Sequence, residues 1–505
     1  MVEPLQAIYD QVCRHVRQTA LLASIGSVLE WDERTMLPPG GGDYRAEQMA
    51  LLSGLTHDRA TDPQLGDWLS QLAGSPLADP ESDSGVTLRR LKRQYDKKVK
   101  LPKKLVEELT RAAVLGQQAW QEARSKNDFA MFRPHLEGMI RLKQEQAESL
   151  GYRECRYDAL LDEYEPDALT SEIAGRLAAL RDELVPLVGE IRQSGRRADI
   201  SVLAHSFPVA AQEEIGREAA ARIGFDFNRG RLDVTAHPFC ATLGPGDCRI
   251  TTRYHVNHFN NAFFGILHEA GHGLYEQGLP APQFGLPLGE AVSLGIHESQ
   301  SRLWENMVGR SHAFWRHFYP ETKRRFPAAL SDVTLDQFYA AINDVRPSLI
   351  RIEADEATYN LHIIVRFELE KALLEGQLKV ADLPAAWNEA YAKYLGIEPT
   401  GPADGVLQDV HWAAGLIGYF PTYTLGNLNA AQFFAKADAD LGGLSDLFAQ
   451  GQFAPLLDWL RSNIHQHGQR YSADELVRHA TGQPPSPRPL MAYLRAKLGP
   501  LYGLG

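Results

Sequence analysis

The chain has 505 residues, 44% of them hydrophobic and 23% charged, the balance of a globular protein large enough to bury a sizeable core. Its formal net charge of -12 argues against a general binder of nucleic acid or of anionic membrane, because both need basic surface to neutralise phosphates. There is no apolar run of about 18 residues to cross a bilayer. Residues 1–20 hold an early acid, Glu3, and scattered Arg14 and Arg17, without the basic-then-apolar order of a signal peptide. Cys13, Cys155, Cys240 and Cys248 are too scattered for a disulfide framework or a cysteine metal site, so the cytoplasm is the expected compartment.

In chain order, the first half reads as helix after helix. Leu105, Leu109, Ala112, Ala113, Gly116 and Trp120 form one stripe at three- and four-residue spacing, and Leu177, Leu180, Leu184, Val188 and Ile191 another; both read as core faces. Breakers at residues 74–85 and 195–199 are too short to be free linkers between domains. Strand signals concentrate in one place. Residues 231–236 alternate Leu232 and Val234 with polar side chains, and residues 249–256 carry Ile250, Thr251, Thr252 and Tyr254, with a Gly-Pro-Gly-Asp turn at 244–247 between them. This predicts an antiparallel pair whose exposed edge could hold an extended peptide by main-chain hydrogen bonds; a hairpin that only braces the next helix is the plainer alternative. A helix over 257–277 follows, then a Pro/Gly loop over 279–289 and a helix over 290–308. The remainder is helical, closing with a Pro-rich loop at 483–489 and a last short helix.

The helix over 257–277 contains His268-Glu269-Ala270-Gly271-His272. Histidines four apart on a helix lie about 40° apart around its axis, so both imidazoles can reach one metal ion. Glu269 borders the position left open for water and can take a proton there. Chance supplies such a motif in a chain like this in roughly a few per cent of cases, but the setting strengthens it. Phe259, Phe263, Ile266, Leu267 and Leu274 make a face fit for burial, and Gly265, Gly271 and Gly273 interrupt the helix at about 1 kcal/mol each, which suggests close approach of another element or ligand.

Two histidines need a third protein ligand if a fourth position is to stay open. Six residues after His272 stands Gly278, not a further histidine, so a carboxylate on a later helix is expected: Glu298, with Glu290 and His297 as rivals. Helical neighbours point about 100° apart, so His297 and Glu298 cannot both face the ion. Residues 247–253, 350–355 and 405–412, the last followed by 418–423, are dense in reactive side chains. A histidine or tyrosine there can donate to an oxyanion and an arginine can pair with a substrate carboxylate; structural ion pairs and a core histidine are the plainer alternatives.

These motifs, together with residues 31–36 (Trp-Asp-Glu-Arg-Thr-Met) and His237-Pro238-Phe239, resemble in order and across almost the whole chain the thermostable carboxypeptidase family typified by carboxypeptidase Taq, peptidase family M32. The resemblance implies a mainly helical, single elongated body of residues 1–505 with a deep groove, a small sheet beside the metal helix and an N-terminal helical lid over about 1–100, similar to the neurolysin and angiotensin-converting enzyme group. It implies a metallocarboxypeptidase of broad specificity acting on peptide substrates, commonly a homodimer, with one divalent ion per chain, Zn2+ or Co2+. His268, His272 and Glu298 would be the ligands and Glu269 the base. His411 and Tyr423 would steady the tetrahedral intermediate, and Arg351 would hold the terminal carboxylate, with Arg253 as the alternative anchor and Tyr419 beside them. Related zinc peptidases often place an acid four residues after the ligand glutamate; here that residue is Arg302, so the carboxylate that orients a metal histidine has to come from elsewhere. The rival functions are an oligopeptidase cleaving internal bonds and a catalytically silent helical peptide binder, against which the intact Glu269 speaks.

Overall fold

A computed structural model describes residues 2–504. It is mainly helical, with one three-stranded sheet placed just ahead of the metal-motif helix. The helix Thr170–Gln193 buries Leu177, Leu180, Leu184, Val188 and Ile191, the stripe expected from their spacing. The helix Phe259–Gly278 buries Phe259, Phe263, Ile266, Leu267 and Leu274 in the same core. Each such side chain contributes about 1.5–3 kcal/mol through burial. A second, separate apolar cluster of Val12, Leu65, Leu69, Leu72, Leu88 and Leu91 holds the N-terminal helices together. No described helix is long and apolar enough to cross a membrane.

The sheet corrects the expected pairing. β1 (Gly230–Val234), β2 (Cys240–Gly244) and β3 (Asp247–Thr252) lie in the order β1-β3-β2. β1 and β3, the two runs read as an antiparallel pair, are parallel, with Leu232 opposite Ile250 and Val234 opposite Thr252. The antiparallel partner of β3 is β2, joined to it by the Gly-Pro-Gly-Asp turn, where Gly244 and Gly246 take φ of 144° and 86°. Because β1 and β2 run in opposite directions, the link over residues 235–239 stays at one end of the sheet and passes over the end of β3. No crossover helix is needed.

The expected helix over 290–308 is shorter and has an irregular end. It begins at Leu294, where the Ser293 hydroxyl accepts from Ile296 N–H at 3.1 Å, and runs as Leu294–Arg302. One π turn, Leu303–Val308, continues it, closed by the Gly309 N–H to Trp304 carbonyl bond at 2.9 Å. This helix packs against the metal-motif helix at Gly271, where an added Cβ would meet Ser301 Cα at 2.6 Å and the Gln300 carbonyl oxygen at 2.7 Å. Gly273 likewise faces Phe225 and Cys248. At Gly265 no other element comes as close, the nearest protein atom to an added Cβ being Thr252 Oγ1 at 3.9 Å.

Candidate metal centre

Close packing of Leu294–Arg302 on Phe259–Gly278 brings Glu298 to the two motif histidines. The ligand atoms of His268, His272 and Glu298 all lie within 4.8 Å of one another. Glu298 Oε2 is 3.7 Å from His268 Nε2 and 3.4 Å from His272 Nε2. Donors held at about 2.0–2.1 Å around a tetrahedral ion are separated by about 3.4 Å, so this N2O set fits a divalent cation with one position left over. The rivals fall away from that focus. Glu290 precedes the helix and is exposed, and His297 turns its ring behind His272.

Each donor is oriented from behind. His268 Nδ1 lies 3.0 Å from Glu305 Oε2, which supplies the carboxylate that the sequence left unassigned. Glu305 sits in the π turn and also accepts from Arg302 Nη1 at 3.1 Å and Arg310 Nη2 at 3.4 Å. Burial opposes its charge, but Arg302 and His268 hold its pKa down to about 2. Glu298 Oε1 accepts from Arg302 Nε at 2.7 Å and Oε2 from Ser301 Oγ at 3.1 Å. Against burial, Arg302 and His268 keep Glu298 well below the ordinary carboxylate range, so it stays anionic, as a metal ligand would have to be. His272 Nδ1 meets His297 Nδ1 at 2.6 Å, and His297 Nε2 meets Glu276 Oε1 at 2.9 Å. Burial, with His297 beside it, depresses His272 to about 3, which keeps its imidazole neutral as ligation requires. Glu269, on the same helix, is buried, and burial pushes it up to about 7.

A second constellation faces this one. Arg351, in the short turn Arg351–Glu353, is buried and donates from Nε and Nη2 to Asp409 Oδ1 at 3.0 and 2.8 Å, and from Nη1 to Tyr359 Oη at 3.1 Å. Asp409 Oδ2 holds Arg366 Nε at 2.7 Å. Three of the five guanidinium N–H groups of Arg351 are thus engaged, leaving one on each terminal nitrogen. The Arg351 guanidinium lies 5.2 Å from the centre of the Tyr423 ring. Tyr423 Oη is 3.4 Å from His411 Nε2, and Tyr419 packs edge-on to Tyr423 with ring centres 5.4 Å apart. Burial lowers His411 to about 4, so it is neutral near pH 7. Tyr419 and Tyr423 are raised by burial first, and the charge of Glu298 also contributes, which ties both phenols to the metal-ligand cluster.

Tyr359 joins the two constellations, because its ring also lies 4.7 Å beneath the Arg302 guanidinium that holds Glu298. Neither Tyr359 nor Glu305 was among the residues singled out from sequence. Arg253 stands apart: it is exposed just beyond β3 and donates to the Ala236 carbonyl at 3.3 Å. Of the two sheet edges, β2 is near enough to the metal-motif helix for Glu269 and Glu276 to affect it. The Cys240 thiol is raised by Cys248, whose sulfur lies at 3.6 Å, then by burial, and then by those two glutamates.

The family model described as Carboxypeptidase Taq (M32) metallopeptidase matches residues 11–498. Thermostable carboxypeptidase 1 of Thermus thermophilus is 50% identical over 509 residues, covering 99% of each chain. Carboxypeptidase 1 of Bacillus subtilis is 39% identical over 476 residues, covering 94% of this chain and 95% of its own. Among solved structures, the M32 carboxypeptidase from Deinococcus radiodurans superposes with a TM-score of 0.95 at 41% identity, covering 98% of this chain and all of that one.

Proposed function

This chain belongs to the carboxypeptidase Taq (M32) metallopeptidase family and is a metal-dependent carboxypeptidase, and from that premise we propose how its own residues bind and cleave a peptide. The observation that carries the reading is the convergence of His268, His272 and Glu298 with Glu269 on the same helix. His268, His272 and Glu298 hold one divalent ion per chain, zinc by its N2O donor set, with cobalt fitting the same donors. A divalent ion bound there acidifies water and polarises a scissile carbonyl.

The chain's own groups do the rest. Arg351 presents its two free N–H groups to the substrate's terminal carboxylate, a charge-assisted pairing worth about 1.5–3 kcal/mol, and Tyr419 lines that subsite. Glu269, whose buried carboxylate is basic for its type, takes a proton from the attacking water and delivers it to the leaving amine. His411, neutral, and Tyr423 donate hydrogen bonds to the oxyanion of the tetrahedral intermediate. Arg253 is the alternative anchor. The outer edge of β2 is the place where an extended substrate backbone can pair. Broad side-chain tolerance fits a site whose identified contacts fall on the main chain and the terminal carboxylate.

The wider organisation follows the family. We propose a homodimer in the cytoplasm, and one functional domain over 1–505 in which residues up to about 100 act as a lid on a deep groove, as in the neurolysin and angiotensin-converting enzyme group. Support for the lid is the separate apolar cluster of the N-terminal helices.

The test is cleavage of one peptide as free acid and as C-terminal amide. The free acid should be preferred roughly ten- to a hundredfold in kcat/KM, and Arg351→Ala should abolish most of that preference. Equal cleavage of both by the wild type overturns the anchor reading and points to an internal cleavage mode. Preserved discrimination in Arg351→Ala moves the anchor to Arg253.

A further inference from the structure

The two motif histidines are supported in different ways. His268 meets a carboxylate directly, Glu305 Oε2 at 3.0 Å from Nδ1. His272 meets another imidazole, with His297 Nδ1 at 2.6 Å, and only beyond that ring does a carboxylate appear, Glu276 Oε1 at 2.9 Å from His297 Nε2. The two rings are tilted by only 28° with centres 4.5 Å apart, and a nitrogen pair at 2.6 Å is too close for face-to-face stacking at about 3.5 Å. They therefore meet edge to edge, as a hydrogen bond requires.

Proton placement follows from counting. If His272 offers its Nε2 lone pair to a cation, its neutral ring carries the proton on Nδ1. That N–H needs an acceptor, so His297 Nδ1 must present a lone pair. The proton of His297 then sits on Nε2, where Glu276 accepts it. The opposite tautomer of His297 would set two N–H groups against each other at 2.6 Å and two lone pairs against each other at 2.9 Å. Helix geometry builds the chain of contacts: His272 and Glu276 are one turn apart on one helix, and His297 reaches between them from the neighbouring helix. His297 and Glu298 point about 100° apart, so one residue faces the ligand focus while the other faces the back of His272.

We infer that His297 and Glu276 are positioning residues that act as a relay, fixing the tautomer and ring orientation of His272 so that its Nε2 is available to a divalent cation. The inference rests on the assignment of His268, His272 and Glu298 as the metal centre. Its distinctive content is an imidazole interposed between ligand and carboxylate on one histidine only, which makes His297 a determinant of metal affinity without being a ligand.

The test is zinc affinity, measured by competition with a chromophoric chelator, alongside the visible spectrum of the cobalt(II)-loaded protein. His297→Phe keeps a ring but removes the acceptor, and should weaken zinc binding roughly ten- to a hundredfold and shift the cobalt bands. His297→Asn, whose carboxamide oxygen can accept from His272 Nδ1–H, should recover much of the loss. Glu276→Gln, which keeps an acceptor for His297 without the charge, should bind more tightly than Glu276→Leu, and this pair carries the test if His297→Phe does not fold. Zinc binding by His297→Phe and Glu276→Leu within twofold of wild type overturns the relay, as does a folded Asn variant no better than Phe. Glu298→Ala separates this from the premise. If Glu298→Ala holds zinc as tightly as wild type, the metal-centre assignment fails; if it releases zinc while the relay variants do not, only the relay fails.

Discussion

Glu269, which is buried, and Glu305, which is half-buried against His268, are acids close to one imidazole, and their surroundings give them different work. Two arginines crowd Glu305 and keep it ionised, so it serves as a fixed acceptor for the His268 N–H. Glu269 has no such arginine pair, and burial leaves its carboxyl near 7, in the range of a group that takes and returns a proton. Glu269→Gln should therefore bind one zinc per chain with wild-type affinity and lose roughly a thousandfold or more in kcat. Equilibrium dialysis together with a peptide assay checks both halves, and substantial residual turnover would assign the base elsewhere. The candidate pair His268 and His272 was legible because a four-residue helical spacing puts both on one face with Glu269 at its border, whereas Glu298, on another helix, was reached through the need for a third ligand. Glu305 was not legible, because the position one turn beyond Glu298, where a supporting acid is common, holds Arg302. Glu305 lies seven residues beyond Glu298, and its aim depends on the π turn, which leaves no mark in residue spacing. Tyr359, and the partners of Asp409, itself within the singled-out stretch 405–412, were hidden for a related reason. The roles of Tyr359 and Asp409 come from contacts with Arg302, Arg351 and Arg366 that form only in the folded chain.

The candidate metal centre is a product of one helix pair in close contact, and the glycines measure how close. An alanine at 271 would press its methyl against Ser301 Cα and the Gln300 carbonyl, which are backbone atoms and cannot swing away. Overpacking of that kind costs about 1–3 kcal/mol, more than the roughly 1 kcal/mol that removing an interior glycine returns. Gly271→Ala should lower the melting temperature and, by displacing Glu298, weaken zinc binding. Gly265→Ala on the same helix meets only Thr252 Oγ1 at 3.9 Å and should be neutral or stabilising. Calorimetry and zinc titration of the pair check this, and the account of the helix contact fails if both variants behave alike. Helices were readable because their apolar spacing repeats over many turns. The sheet was readable only as to where β1 and β3 lie. Cys240–Gly244 lacks the alternation that marks a strand, so β2 went unseen, and the turn after it was given to the wrong partner.

At the scale of the whole molecule, apolar burial is divided unequally. One large core runs from Ala123 and the helix Phe129–Leu150 through Thr170–Gln193 and the metal-motif helix to the C-terminal helices, while the first helices of the chain close on the small cluster around Val12 and Leu69. The helix Gly42–Ala60 has no buried residue at all, and leaves Leu51 at 65% and Leu55 at 45% exposure. A segment anchored by so little buried surface opens at a small fraction of the free energy that unfolds the main core. Deuterium exchange in the native protein should accordingly be fastest in 42–60, slower in the helices built on Val12, Leu65 and Leu88, and slowest in 259–278, with guanidinium below the global midpoint accelerating the N-terminal helices first. A single common protection factor across all three regions would show one cooperative unit. Graded protection would mean that the first hundred residues breathe while the histidines stay locked, so that access to the site varies in time without any loosening of the ligand geometry.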